Sequence, residues 1–117
     1  MKGARHAYLL SQDDNPCAAI NCLYKHKTAT LFILKMSEET FQNAISCFLQ
    51  SLTNNAKINR LEMYLLNEEE YNEFGNALSE FYVEVEYRNH IRINGTLHNL
   101  LLIAKTLPGE GTGTKND

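Results

Sequence analysis

Apolar and polar residues alternate most regularly along residues 83–93, near the end of the chain. A period of two residues is typical of a β-strand that has one face against a core. The Asn94-Gly95 pair that follows is typical of the two-residue turn of a β-hairpin, and residues 96–107 supply the returning strand. The pattern therefore predicts a C-terminal hairpin in which Ile93 pairs with Thr96, which places Val85 opposite Ala104.

Two segments have the spacing of amphipathic helices. The first follows Ser37 and buries one stripe of side chains, made of Phe41, Ala44, Ile45, Phe48, Leu49 and Leu52. Glu38 and Glu39 stand in its predicted first turn, where negative charge complements the helix dipole. The second helix is predicted over residues 68–81, with Glu70 at the reciprocal capping position after Asn67.

Four further apolar segments are predicted as strands: residues 5–10, 17–24, 28–36 and 60–66. The segment 28–36 is apolar on both faces, which predicts a strand covered on two sides. The element order β-β-β-α-β-α-β-β predicts an α+β fold, with a mixed or mostly antiparallel sheet and both helices packed on one face. Residues 1–107 are predicted to form a single α+β domain, and residues 108–117 a flexible, glycine-rich C-terminal tail.

Composition limits the class of protein. The 117 residues are 44% hydrophobic and 21% charged, which is typical of a globular domain and unlike a disordered chain. No apolar run approaches the roughly 20 residues of a membrane-spanning helix. Three cysteines in apolar segments favour reduced, buried thiols and a cytoplasmic protein. Cys17 and Cys22 are spaced too far apart for a structural zinc site, and neither a metal nor a cofactor is predicted.

The predicted hairpin register gathers polar and apolar side chains on one face. If the helices cover the side of Val85 and Tyr87, the other side is bare and carries Arg88, His90, Arg92, Leu97, Asn99, Leu101 and Ile103. Such a mixed surface favours a small non-catalytic interaction protein that forms a homodimer or binds a protein partner. A partly solvated sheet face without any function gives the same pattern.

Two alternatives use charge. Arg88, His90 and Arg92 share the predicted bare face and could bind a carboxylate or phosphate, which would suit a small-ligand-binding regulator or an enzyme. The net charge is −3, but residues 37–87 hold two basic against ten acidic side chains. Glu69, Glu73 and Glu80 lie along the second helix, as in an acidic inhibitor or immunity-type protein that binds a basic partner. A nucleic-acid partner is disfavoured because the basic clusters are small.

Overall fold

A computed structural model describes residues 3–55 and 57–107, apart from the side chain of Asn67; the predicted tail lies outside these residues. The helices and strands follow the predicted order. The strands are β1 (Ala4–Gln12), β2 (Asn15–Lys25), β3 (Thr28–Lys35), β4 (Arg60–Leu66), β5 (Tyr82–Ile93) and β6 (Thr96–Thr106). The helices are α1 (Phe41–Thr53) and α2 (Asn67–Glu73), and a 3-10 turn follows over Gly75–Leu78.

All six strands form one mixed sheet in the order β1-β2-β3-β4-β6-β5. β3 and β4 are parallel because α1 connects them as a crossover, whereas the other neighbouring strands are antiparallel. The predicted α+β class, with a mixed sheet and two helices, is confirmed. Within the described residues no helix is long and apolar enough to cross a membrane.

The core lies between one face of the sheet and the helices. Leu31, Met63 and Ile103 project from the central strands and meet Phe41 and Ile45 of α1, all at most 2% exposed. Burying each such side chain contributes about 1.5–3 kcal/mol of hydrophobic stabilisation. The helical stripes therefore decide which face of the sheet becomes the core.

The predicted helix over residues 68–81 is shorter in the structure. α2 ends at Glu73, because Gly75 adopts a left-handed conformation with φ of +55° that a regular helix cannot contain. Glu70 does cap the start of the helix, but its carboxylate accepts the backbone N–H of Leu66 at 2.6 Å, one residue before the predicted partner Asn67. α1 also starts later than expected, at Phe41, which leaves Glu38 and Glu39 in the connection before the helix.

Replacing Gly75 with alanine is expected to lower the free energy of unfolding by about 1–2 kcal/mol, because alanine is strained at positive φ. A Cβ atom there would also stand 2.5 Å from Oε1 of Gln42, the side chain whose amide donates to the carbonyl of Glu73. Gly95→Ala is the matched control, because Gly95 also has a positive φ and its Cβ would meet nothing within 4 Å. Urea unfolding of both variants should show the larger loss for Gly75→Ala; equal losses would remove the steric contribution.

The predicted hairpin register is only partly right. Ile93 pairs with Thr96 as expected, but Val85 pairs with Leu102 instead of Ala104. β5 contains two irregularities, between Val83 and Val85 and between Tyr87 and Ile91, and each inserts extra residues relative to β6. Simple alternation therefore does not hold along the strand.

The predicted bare face is wrong for Leu101 and Ile103. Both belong to the core, at 4% and 0% exposure, because the helices pack on their side of β6. The segment from Leu100 to Ala104 is apolar at every position, so both faces of β6 look alike in the sequence. The hairpin pattern alone could not show which face the helices would cover.

Candidate functional site

The two parallel strands at the centre of the sheet stop pairing part-way along their length, and we call the region between their unpaired ends the wedge. β3 and β4 pair only from Thr28 with Arg60 to Leu31 with Met63. Beyond those four residue pairs both strands continue, to Lys35 and to Leu66, without pairing with each other. The wedge opens toward the carboxyl ends of both strands, which is where ligands bind in open α/β sheets.

Both sides of the wedge are strand edges that do not pair with each other. β3 is paired with β2 as far as Lys35, and β4 is paired with β6 as far as Leu66, so each strand is anchored on its outer side. The inner edges, residues 32–35 and 64–66, lack the ladder that would pair them to each other. The Leu66 N–H is taken by Glu70, but the other N–H and C=O groups that face this edge can pair with an extended ligand that carries amides, as in strand addition.

Aromatic side chains mark the base of the wedge on the helix-free face. Phe32 and Tyr64 are the first residues past the last parallel pair, and their rings stack 6.2 Å apart. Burial, and then the nearby charge of Glu62, raise the pKa of Tyr64 above its usual range. Its hydroxyl is therefore protonated at neutral pH and can donate a hydrogen bond or a proton.

A charged network fixes the start of β4 next to these rings. Glu62 accepts hydrogen bonds from the Thr30 hydroxyl at 3.0 Å and from Nε of Arg60 at 3.1 Å. Arg60 also donates to Glu84 of β5, and these bonds, led by the one to Glu84, raise the pKa of its guanidinium. The network ties β3, β4 and β5 together below the wedge.

The connection between β3 and α1 makes the mouth of the wedge acidic. Glu38 and Glu39 are exposed there, and a cavity of about 580 Å³ extends from this connection to the β1–β2 turn, where Asp13 lines it. Lys35, the cation at the end of β3, pairs with Glu38 at 2.7 Å and with Glu73 of α2 at 3.3 Å. The hydrogen bond that Lys35 donates to Glu38 is the main cause that raises the pKa of Lys35.

The cationic residues predicted as a ligand site lie far along β5 and do not share a regular face. Asn89 has a φ of +49° inside the irregular segment between Tyr87 and Ile91, so the alternation that placed Arg88, His90 and Arg92 together is broken. All three are exposed, and they line neither the acidic cavity nor the one beside α2. Their role in ligand binding stays a prediction.

Leu97 and Asn99 of β6 were also predicted to lie on the bare face. Asn99 donates to the Glu86 carboxylate at 3.1 Å and accepts from the backbone N–H of Asn89, so it braces the irregular part of β5. Leu97 is 45% exposed near the tip of the hairpin. Neither residue pairs with β4, because the β4–β6 ladder ends at Leu100.

The predicted acidic surface is partly neutralised. Glu73 is paired with Lys35, and Glu80 is paired with Lys105 at 2.8 Å. The hydrogen bond from Lys105 lowers the pKa of the Glu80 carboxyl. Glu69 is exposed on α2, but Glu80 lies beyond the end of both helical segments, so the three carboxylates do not form one helical stripe.

Comparison with known proteins gives a fold and no sequence family. No family model and no curated protein matches the chain. Among solved structures, the ribosomal-protein-S18-alanine N-acetyltransferase from Escherichia coli matches with a TM-score of 0.70 and 13% identity, over 97% of this chain and 75% of that one. The chain shares the fold of that acetyltransferase.

Two further solved structures agree. A variant of the spermidine N-acetyltransferase from Vibrio cholerae has a TM-score of 0.68 and 14% identity, over 90% of this chain and 67% of that one. A GNAT-family acetyltransferase from Streptococcus pneumoniae has a TM-score of 0.68 and 11% identity, over 88% of this chain and 67% of that one. At these identities the likeness establishes the fold, and the reaction has to come from the site.

These matches overturn the prediction of a non-catalytic interaction protein. The solved neighbours are acetyltransferases, so they favour the alternative of a ligand-binding protein or enzyme. The sequence did not predict the residues that form the wedge. These are Phe32, Tyr64 and the strand ends beyond them. One signal was present: β3 is apolar on both faces, yet Phe32 and Leu34 are 46% and 64% exposed.

Proposed function

We propose that this protein is an N-acyltransferase, which holds an extended thioester donor in the wedge between β3 and β4 and transfers its acyl group to an amine. The single observation that carries the proposal is the wedge, with its two unpaired backbone edges at the carboxyl ends of adjacent parallel strands. The acetyltransferase fold supports the reaction class. The printed names of two neighbours, for alanine and spermidine, support an amine acceptor.

The reaction needs few groups from the protein. The acceptor nitrogen bonds to the thioester carbonyl carbon and the C–S bond breaks. The sulfur takes a proton from a protein donor and leaves as a thiol, and the proton that the nitrogen releases to water restores that donor. Backbone N–H groups on the inner edges of β3 and β4 are suited to the developing negative charge on the carbonyl oxygen. We assign Tyr64 the role of proton donor to the leaving sulfur, because its hydroxyl stays protonated and stands at the base of the wedge.

Acetyl-coenzyme A, the donor that the fold suggests, fits this site only in part. Its amide-bearing arm matches the two unpaired strand edges of the wedge. Its diphosphate does not fit the start of α1, because Glu38 and Glu39 precede that helix and Lys35 is already paired with two carboxylates. Helix starts that bind phosphate present backbone N–H groups and positive potential instead. We therefore propose an amide-bearing thioester as the donor, and the proposed reaction does not depend on a bound diphosphate.

The test is thiol release from S-acetyl-N-acetylcysteamine, a thioester with an amide arm and no phosphate, in the presence of spermidine, lysine and an alanine-terminated peptide. Amide formation, confirmed by mass spectrometry, is the expected result with at least one amine. Tyr64→Phe should lower kcat by about 10²-fold or more with little change in KM, as expected for the loss of a general acid.

Tyr82→Phe is the matched control, since Tyr82 is 46% exposed at the start of β5. It should retain full activity. Thioester hydrolysis without an amide product would contradict the proposed reaction. Equal activity of Tyr64→Phe and Tyr82→Phe would contradict the role proposed for Tyr64.

Two sequence-based expectations accompany this proposal as predictions. The homodimer stays a prediction, and light scattering at micromolar concentration tests it. If it forms, the helix-free face is the better location than the hairpin, because it exposes Leu9, Phe32 and Leu34. A cytoplasmic location also stays a prediction.

A further inference from the structure

A separate cavity of about 630 Å³ lies at the opposite end of β3 from the wedge. Its walls are the start of β1, the turn between β2 and β3, and the connection from α1 to β4. β3 has eight residues, so Thr28 at this end is roughly 23 Å from Lys35 at the wedge end, at ~3.3 Å per residue. The turn is held against the connection by a bond from the Asn59 N–H to the Lys27 carbonyl, at 2.9 Å.

Cationic side chains surround this cavity. Lys25, Lys27 and Lys57 line it together with His6 and His26, and its described lining residues include no carboxylate. The ion pairs recorded across residues 3–55 and 57–107 use other cations. Three lysines therefore concentrate positive charge around a concave surface, in a chain whose net charge is −3. A concave wall of one charge sign focuses the field and attracts anions.

Aromatic rings and tyrosine hydroxyls also line the cavity. The hydroxyls of Tyr8 and Tyr24 are hydrogen-bonded at 3.0 Å, and the His6 ring meets Tyr24 edge-on at 5.2 Å between centroids. Burial is the main cause that raises the pKa of Tyr24, so its hydroxyl stays a donor. The cavity therefore offers aromatic surface and the Tyr24 hydroxyl in addition to the lysines.

The turn that supplies two of these cations has an unusual sequence. His26 and Lys27 have φ values of +54° and +63°, in the left-handed region. The other two hairpin turns use residues that tolerate this conformation, Asp13-Asp14 and Asn94-Gly95. A lysine has no such tolerance, and residues held in rare backbone conformations concentrate at functional sites. The side chain of Lys27 is thus kept at a position where glycine or asparagine would be more stable.

We propose that this cavity binds a small phosphorylated ring compound of the nucleotide class, with the phosphate between Lys25, Lys27 and Lys57 and the ring against Tyr8 and Tyr24. The volume lies within the range of small-molecule sites. Three lysines supply point charges of the kind that bind phosphate groups in proteins. The inference is independent of acyl transfer, because it uses no residue of the wedge.

Isothermal titration calorimetry of the full chain with AMP, ribose 5-phosphate, adenosine and orthophosphate tests the proposal. AMP should bind at least tenfold more tightly than each of the three fragments, because only AMP uses both the lysines and the rings. Binding of orthophosphate as tight as that of AMP would overturn the nucleotide class, and no measurable heat with millimolar AMP would overturn the site.

Lys25→Gln/Lys27→Gln should weaken AMP binding at least tenfold. The matched control, Arg88→Gln/Arg92→Gln, also removes two exposed cations but lies on the distal part of β5, and it should change the affinity less than twofold. Equal losses in the two variants would show a general charge effect and overturn the site. If the lysine variant fails to fold, Lys57→Gln applies the same criterion. Loss of thioester activity in any assay leaves this result unaffected.

Discussion

Replacing Ile103 with lysine is expected to leave the protein unfolded at 25 °C. Ile103 is 0% exposed in the centre of β6, where it packs with the core residues of the sheet and helices. An unpaired ammonium group buried there costs several kcal/mol, and the isoleucine side chain contributes a further ~2–5 kcal/mol that is lost. Domains of this size have only about 5–15 kcal/mol of stability in total.

Circular dichroism and urea unfolding measure this effect, and Leu97→Lys is the matched control. Leu97 lies on the same strand and is 45% exposed, so lysine there should change the free energy of unfolding by less than about 0.5 kcal/mol. A folded Ile103→Lys protein that unfolds at the same urea concentration as Leu97→Lys would contradict the assignment of this face of β6 to the core.

Reversing the charge before α1 is expected to change which thioesters the protein accepts. Glu38→Lys/Glu39→Lys changes the local charge by four units and frees Lys35 from one of its two carboxylate partners. Each charge near a helix start contributes roughly 0.3–1 kcal/mol. The KM for acetyl-coenzyme A should therefore fall about tenfold or more, because its diphosphate would meet positive potential.

The control for this prediction is a second donor that lacks the diphosphate. S-acetyl-N-acetylcysteamine has no phosphate, so its KM should stay within about twofold in the same variant, and rising ionic strength should weaken only the effect on acetyl-coenzyme A. An unchanged KM for both donors would show that the connection before α1 does not meet the donor's phosphates. A parallel fall for both would point to a change in the wedge itself.

The sequence predicted the correct helices and strands in those segments that have a single apolar face. The stripe from Phe41 to Leu52 and the alternation after Val83 predict the right elements, since burial of one face produces each pattern. The failures occur where that condition does not hold. Leu100–Ala104 is apolar on both faces, and the left-handed Asn89 interrupts the alternation of β5. Local pattern carries no signal for either feature.

The candidate site was missed for a related reason. A wedge is a property of two strands that lie far apart in the sequence, and its defining feature is pairing that stops after Leu31 and Met63. Nothing in the residues of either strand, such as a proline or a charged cluster, marks that stop. The site uses backbone groups and the aromatic pair Phe32 and Tyr64, which in the sequence resemble ordinary strand residues.

The short parallel pairing has a mechanical consequence. The six-stranded sheet consists of two antiparallel halves, β1-β2-β3 and β4-β6-β5, which are joined within the sheet plane by only four residue pairs. Local opening is easiest where few hydrogen bonds cross a boundary, so we expect the sheet to open at this joint before it opens between antiparallel strands. A ligand that pairs with both inner edges would join the halves into one continuous sheet. Substrate binding and the rigidity of the whole sheet are then a single coupled equilibrium.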